Sequence, residues 1–224
     1  HPSNSYIYLY GNMDMEEKLA FLDEHYLSHF DYLDVDSVIQ EQKAFGACRD
    51  VTLEYPVAEN EGEEDNTYLS YNMVVGNAAD SQMAMAFEVL DYALLRAPLK
   101  QALLDVKAGK DVYGSYDDGI LQPYFTVIAK GSNPDRKEEF VSVIRQVLGD
   151  IVKNGIDKKA VEAGINYFEF RYREADFSSY PKGLMYSLDI LGDWLYEKGN
   201  PFAQVQRLTV FENLKKAVNE GYFE

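Results

Sequence analysis

Apolar and polar residues trade places every second position near the start of the chain and every three to four positions further along. Residues 5–11, Ser-Tyr-Ile-Tyr-Leu-Tyr-Gly, are rich in β-forming side chains and close on Gly11, which predicts a short strand. Asp14 is followed three residues later by Glu17, a capping-box spacing that predicts a helix start. Leu19, Leu22, Tyr26, Phe30 and Leu33 then recur at helical spacing and give that helix one apolar stripe. Residues 47–60 read as a second strand, with Pro56 marking an edge or a strand end. The acidic stretch 61–66 is a turn without apolar residues, and 67–77 reads as a third strand. Two strands joined by a polar turn predict an antiparallel hairpin.

A helix is expected from Asp80 or Ser81 to about Leu95, with Met83, Phe87, Leu90 and Leu94 as its buried face. Pro98 opens a second, short helix to about Val106. Residues 112–118 and 120–131 give two strands around Asp117-Asp118-Gly119, a hairpin signal. Asn133-Pro134 reads as a helix N-cap followed by proline at the first helical position. The helix behind it carries Phe140, Val143, Ile144, Val147, Leu148 and Ile151 in register and ends at Asn154-Gly155. From Asp157 the chain reads as helices over 157–177, 182–197 and 202–218, the last two separated by Gly199-Asn200-Pro201. Neighbouring strands favour an antiparallel sheet with helices on one face, an α+β layout. The expected organisation is one α+β domain over 1–224, a fragment of a larger protein, in which 157–224 is the mostly helical part.

Bulk properties narrow the function classes. The 224 residues suffice for a sizeable core, and no apolar run approaches the ~20 residues of a membrane helix. A formal net charge of −17 argues against a nucleic-acid partner, because phosphate binding needs clustered Lys and Arg. The single cysteine, Cys48, forbids an internal disulfide, and cytoplasmic localisation is the expectation. No membrane partner is expected.

Several residue groups could carry chemistry. His25 and His29 stand four apart with carboxylates on both sides, a spacing zinc sites use on a helix. Glu24 or Asp36 could supply a third ligand, although no spacing singles out either. Asp117-Asp118 could form an acid/base pair, and Glu59 to Asp65 could recruit basic peptides; solvated residues of a Gly-flanked turn and a hydrated loop are the preferred readings. Cys48 has no evident partner, and His1 lies at the start of the chain, so a Cys-His nucleophile is not indicated. There is no G-x-S-x-G, P-loop or dinucleotide fingerprint. Tyr167, Phe168, Phe170 and Tyr172 crowd one helix, and Phe168 and Phe170 point about 200° apart at helical periodicity. Such a spread predicts burial on two sides, one inward and one against a neighbour outside the chain.

The opening 1–14 is similar to the start of the second domain in the insulinase (pitrilysin) family of zinc metallopeptidases, with Pro2, Asn4, Gly11 and Asp14 matching. Residues 114–135 resemble the corresponding strand pair of the presequence-protease branch, with Gln122-Pro123 and Ala129-Lys130-Gly131 in place. The resemblance runs collinearly over most of the chain. It implies a parent built of repeated α+β domains around a closed chamber, cleaving short unfolded peptides. In such a parent the first domain holds zinc through H-x-x-E-H, whose Glu is the general base. The second domain shares the fold without the metal and lines the chamber. The present chain has Ser28 where the motif Glu would stand, and Tyr26 after His25 rules out H-E-x-x-H. A hydroxyl cannot take the water proton as a carboxylate does.

The resulting expectation has no catalytic, cofactor or metal residue in this chain. Zinc belongs to the parent, a metalloendopeptidase, and the chain alone is inactive. Its partners would be the catalytic domain and the other half of the same polypeptide, with peptides as the parent's substrates. The alternatives are a stand-alone acidic peptide-binding module, capturing extended peptides on a sheet edge, and a scaffold homologue that has lost catalysis.

Overall fold

The computed structural model describes residues 1–223 apart from 79, 96, 176 and 197–199; the side chains of 193 and 204 are also left aside. The sheet has three strands, β1 (Thr67–Val74), β2 (Asp111–Asp117) and β3 (Tyr124–Ser132), in the order β1-β3-β2 and antiparallel throughout. The expected hairpin around Asp117-Asp118-Gly119 joins β2 to β3. On β3, the central strand, Phe125, Val127 and Ala129 are buried. Their cross-strand partners Met73, Tyr71 and Leu69 on β1 and Tyr116, Gly114 and Val112 on β2 share that face. Gly131, at φ +67, is the extra residue where the register with β1 shifts.

The helices are α1 (Met15–His25), α2 (Ser81–Leu95), α3 (Pro98–Asp105), α4 (Lys137–Asn154), α5 (Lys158–Glu174), α6 (Lys182–Trp194) and α7 (Leu208–Ala217). Leu95, Leu99, Leu103, Phe140 and Ile144 from α2, α3 and α4 cover the buried sheet face. Gly114 permits this approach, since a Cβ there would lie 2.6 Å from Leu95 Cδ1. A second core joins Met85, Ala86, Val89 and Ala93 of α2 to Val161 and Ile165 of α5 and Phe211 and Leu214 of α7. Burial of these two clusters is the dominant stabilising contribution. Among the described residues, no helix is long and apolar enough to cross a membrane.

Several sequence expectations need correction. Residues 5–11 form no strand and have no sheet partner among the described residues; their rings rest on α6, Tyr6 against Trp194 at 4.6 Å and Tyr10 against Tyr186 at 6.1 Å. Residues 47–60 form none either. Tyr55 lies beside Tyr68 at the edge of β1 and donates its hydroxyl to the Asn66 carbonyl, but no ladder forms and Leu53 stays 85 % exposed. β1 therefore pairs with β3 and not with a preceding strand.

α2 buries more than the Met83, Phe87, Leu90 and Leu94 face. Met83, Phe87 and Leu90 are half-buried, while Ala84, Met85, Ala86, Val89, Ala93, Leu94 and Leu95 are buried, because the helix serves both cores at once. Asn133 does not cap α4. Its amide exchanges two hydrogen bonds with Asp65, both 2.8 Å, so a short 3-10 turn over Pro134–Arg136 precedes the helix. The last helix starts at Leu208, later than expected, after a separate 3-10 turn, Ala203–Val205. Residue 176, residue 197 and Gly199, on which three helix-end and linker expectations fall, lie outside the described residues.

Candidate functional site

Asp14 caps α1 through a bond from the Glu17 amide to its carboxylate, 3.0 Å. Glu16 and Glu17 in the first turn complement the helix dipole. The helix stops at His25, and Tyr26, at φ −137 and ψ −64, breaks the path before a 3-10 turn over Leu27–His29. His25 and His29 therefore do not sit one turn apart on a single helix. Both are exposed. His25 packs its ring on Phe21 at 4.7 Å, and Ser28 Oγ donates to the Glu24 carbonyl at 3.2 Å, which occupies that hydroxyl with the backbone. Asp36 lies on the exposed stretch beyond. Among the described residues, no three His, Cys, Asp or Glu side chains gather as a metal-ligand set. Two solvent-facing imidazoles without a carboxylate do not suit catalytic zinc, which needs three protein ligands and an open position.

The remaining sequence candidates separate. Asp117 is a turn residue, accepting from the Tyr124 hydroxyl and the Gly119 amide, both at 3.1 Å. Its neighbour Asp118 is half-buried and does not share that role. Within the acidic loop 59–65, Asp65 is the structured member. Hydrogen bonds from Asn133 and Lys110 hold its carboxyl below the usual range. Cys48 is exposed, with Sγ 3.8 Å from the Arg49 carbonyl oxygen. His1 accepts the Ser3 amide at Nδ1 and sets its ring edge against Phe30. On α5, Phe168 and Tyr172 join the second core, whereas Phe170 is 64 % exposed on the opposite side. Tyr172 also donates to the Val205 carbonyl at 2.5 Å.

One constellation escaped the sequence reading. Glu88 of α2 sits 3.6 Å from Arg207 at the start of α7, with only 23 % of the Glu88 side chain exposed. Burial pushes its carboxyl up to about 7 against the pull of Arg207, and Asp118 and Asp189 add to the rise. Asp91, one helical turn on, is raised by burial to about 6, and its Oδ1 has no hydrogen-bond partner among the described residues. Asp189 of α6 is raised for the same reason. Two charged residues inside an otherwise Ala-, Met- and Leu-rich helix were the available signal. These groups link α2, α6, α7 and the β2–β3 turn.

A cavity of about 600 Å³ lies between α5, α6 and the N-terminal segment, lined by Tyr8, Tyr172, Arg173, Tyr186, Ile190 and Phe202 among others. Its charged side chain is already engaged: Glu169 accepts two bonds from Arg173, at 2.7 and 2.8 Å, and also pairs with Lys215. Neither this cavity nor the Glu88 cluster assembles a nucleophile beside a base.

The family profile described as "Peptidase M16 inactive domain" matches residues 1–168. Protein HypA of Clostridium perfringens is 44 % identical over 227 residues, covering 100 % of this chain and 23 % of the relative. Presequence protease 1, chloroplastic/mitochondrial, of Arabidopsis thaliana is 30 % identical, covering 98 % of this chain and 21 % of the relative. The chain thus spans about a fifth to a quarter of the length of these relatives. Among solved structures, the inactive peptidase domain of a zinc protease from Bordetella parapertussis superposes with a TM-score of 0.51 at 16 % identity, over 67 % of this chain and 83 % of that one. That likeness concerns the fold, a small antiparallel sheet with helices on one face. With three quarters of the sequence matched by the profile, this chain belongs to the family of peptidase M16 inactive domains.

Proposed function

We propose that this chain is the non-catalytic, chamber-lining domain of a zinc-dependent metalloendopeptidase that degrades short unfolded peptides. Residues 1–224 are one α+β domain of that longer polypeptide, with 157–224 its helical part. The catalytic domain and the other half of the same polypeptide are its partners. Zinc, its ligands and the general base lie in the catalytic domain, and this chain contributes no catalytic or metal-binding side chain. The parent works in the cytoplasm. The observation that carries the reading is the match of residues 1–168 to an inactive peptidase domain. The exposed, ill-matched donors His25, Ser28 and His29 support it.

Purified and incubated with zinc, the chain should retain no stoichiometric metal by elemental analysis and should cleave no unfolded peptide. One tightly held zinc per chain, lost in His25→Ala, would overturn the reading. The coding sequence upstream of His1 is the second check: H-x-x-E-H within the preceding ~200 residues, a typical domain length, is expected.

A further inference from the structure

Residues 5–33 have the composition of a strand followed by a packed helix, yet they pack like neither. Ser5–Tyr10 starts extended at Ser5, carries three tyrosines, an isoleucine and a leucine, and joins no strand of this sheet. Its ring contacts with Trp194 and Tyr186 leave Ile7 45 % and Tyr10 52 % exposed. α1 has a formed N-cap and an apolar stripe, but no residue of it is buried. Leu19 and Phe21 are 55 % and 59 % exposed. A capped amphipathic helix with a wet apolar face, next to a segment whose amides at 6–10 meet no backbone carbonyl among the described residues, lacks the layer that would cover both.

We infer that this strand-and-helix unit completes a neighbouring fold of the same polypeptide. Ser5–Tyr10 adds as a strand to an open sheet edge of the adjoining domain, and α1 lays its Met15–Leu19–Leu22 stripe over that sheet. The inference rests on the longer polypeptide proposed above. Relatives four to five times the length of this chain supply the room for such a neighbour. On that reading an adjoining domain of the same polypeptide is covalently tethered to this segment, so its effective concentration is high, of millimolar order. The chain's own edge at β1 is a poorer acceptor, because the Tyr55 ring already packs against Tyr68 there and its hydroxyl donates to the Asn66 carbonyl. Strand addition satisfies the backbone amides of 6–10, and helix docking removes the exposed leucine and aromatic surface from water.

Hydrogen exchange on the full-length polypeptide is the test. The amides of 6–10 and 19–25 should exchange at least about 100-fold more slowly than those of the loop 59–64, as expected for amides within a cooperative unit. Exchange as fast as that loop would overturn the inference. A photoreactive p-benzoylphenylalanine in place of Ile7 then identifies the neighbour. Adducts outside residues 1–224 are expected; adducts confined to 67–74, 111–117 or 182–194 would show a segment folded on its own chain and overturn it. An adjoining domain that takes the adduct but lacks H-x-x-E-H would leave this inference standing and remove the peptidase reading. A coding sequence with no adjoining domain would remove both.

Discussion

Residues 1–66 and residues 67–223 obey different rules. The second region buries Phe140, Ile144, Val161, Phe211 and other side chains in two clusters that share α2. The first buries none. Its links to the rest are exposed ring contacts, such as Tyr6 on Trp194 and Tyr10 on Tyr186, and polar clips: the Gln42 backbone and the Gln122 side-chain amide exchange bonds of 2.6 and 3.1 Å, Asn77 donates to Glu41 at 2.9 Å, and Lys137 pairs with Asp50. Surface clips of this kind contribute little free energy, whereas core burial contributes most of what a domain has. Apolar content is therefore a poor guide to which part of a chain folds by itself. What matters is whether the apolar stripe meets another one.

The sharpest way to break that contrast is a pair of phenylalanine deletions followed by urea denaturation. Phe140, 1 % exposed between the sheet and α4, should cost about 3–5 kcal/mol as Phe140→Ala. Phe21, 59 % exposed, should change global stability by less than about 0.5 kcal/mol as Phe21→Ala in this chain. Equal losses would mean that α1 belongs to the cooperative unit and that the two regions are one.

Much of this division could be anticipated from pattern, though not its most consequential part. α4 and α5 were legible because their apolar residues lie in register and their ends are marked, by Gly155 and by the Asp157 cap. The β2–β3 hairpin was legible from Asp117-Asp118-Gly119. Residues 5–11 and 47–60 have the local chemistry of strands, but pairing is a property of two segments, and a local pattern cannot name the second. The Glu88 cluster was opaque for a related reason. Glu88 and Asp91 read as the polar side of a helix until α6 and α7 close over them, and Arg207 comes from a distant part of the chain. Asp118 looked like a solvated turn residue for the same lack of a known neighbour.

That cluster makes the core region pH-sensitive. Burial raises the folded-state pKa of Glu88 from 4.5 to about 7 and that of Asp91 from 3.8 to about 6. A carboxyl harder to ionise when folded favours folding while it is protonated, so stability falls as pH rises from about 4.5 to about 7. For Glu88 alone the loss is about 2–3 kcal/mol, after allowance for partial exposure. Arg207, Asp118, Asp189 and Arg171 all face this group and set how much of that loss appears. The midpoint of thermal unfolding should therefore be lower at pH 8 than at pH 5.5, and Glu88→Gln should flatten the dependence. A wild-type profile that rises toward pH 8 would contradict the sign, and an unaltered slope in the variant would place the titration elsewhere.

The smallest effect separates the two regions most cleanly, because it applies one motif to both. Asp157 caps α5 by accepting the Lys159 amide at 2.9 Å and the Ala160 amide at 3.4 Å, and Asp14 caps α1 by accepting the Glu17 amide at 3.0 Å. Removing a cap costs about 1 kcal/mol of helix stability in either place. In α5 the helix is welded to the second core through Val161 and Ile165, so Asp157→Ala should lower global stability by about that amount in urea titration. In α1 nothing is buried, so Asp14→Ala should leave the global transition where it is and raise exchange only at the amides of residues 15–25. If Asp14→Ala instead moved the global midpoint, the apolar stripe of α1 would already be satisfied within this chain, and no neighbour would be needed to cover it.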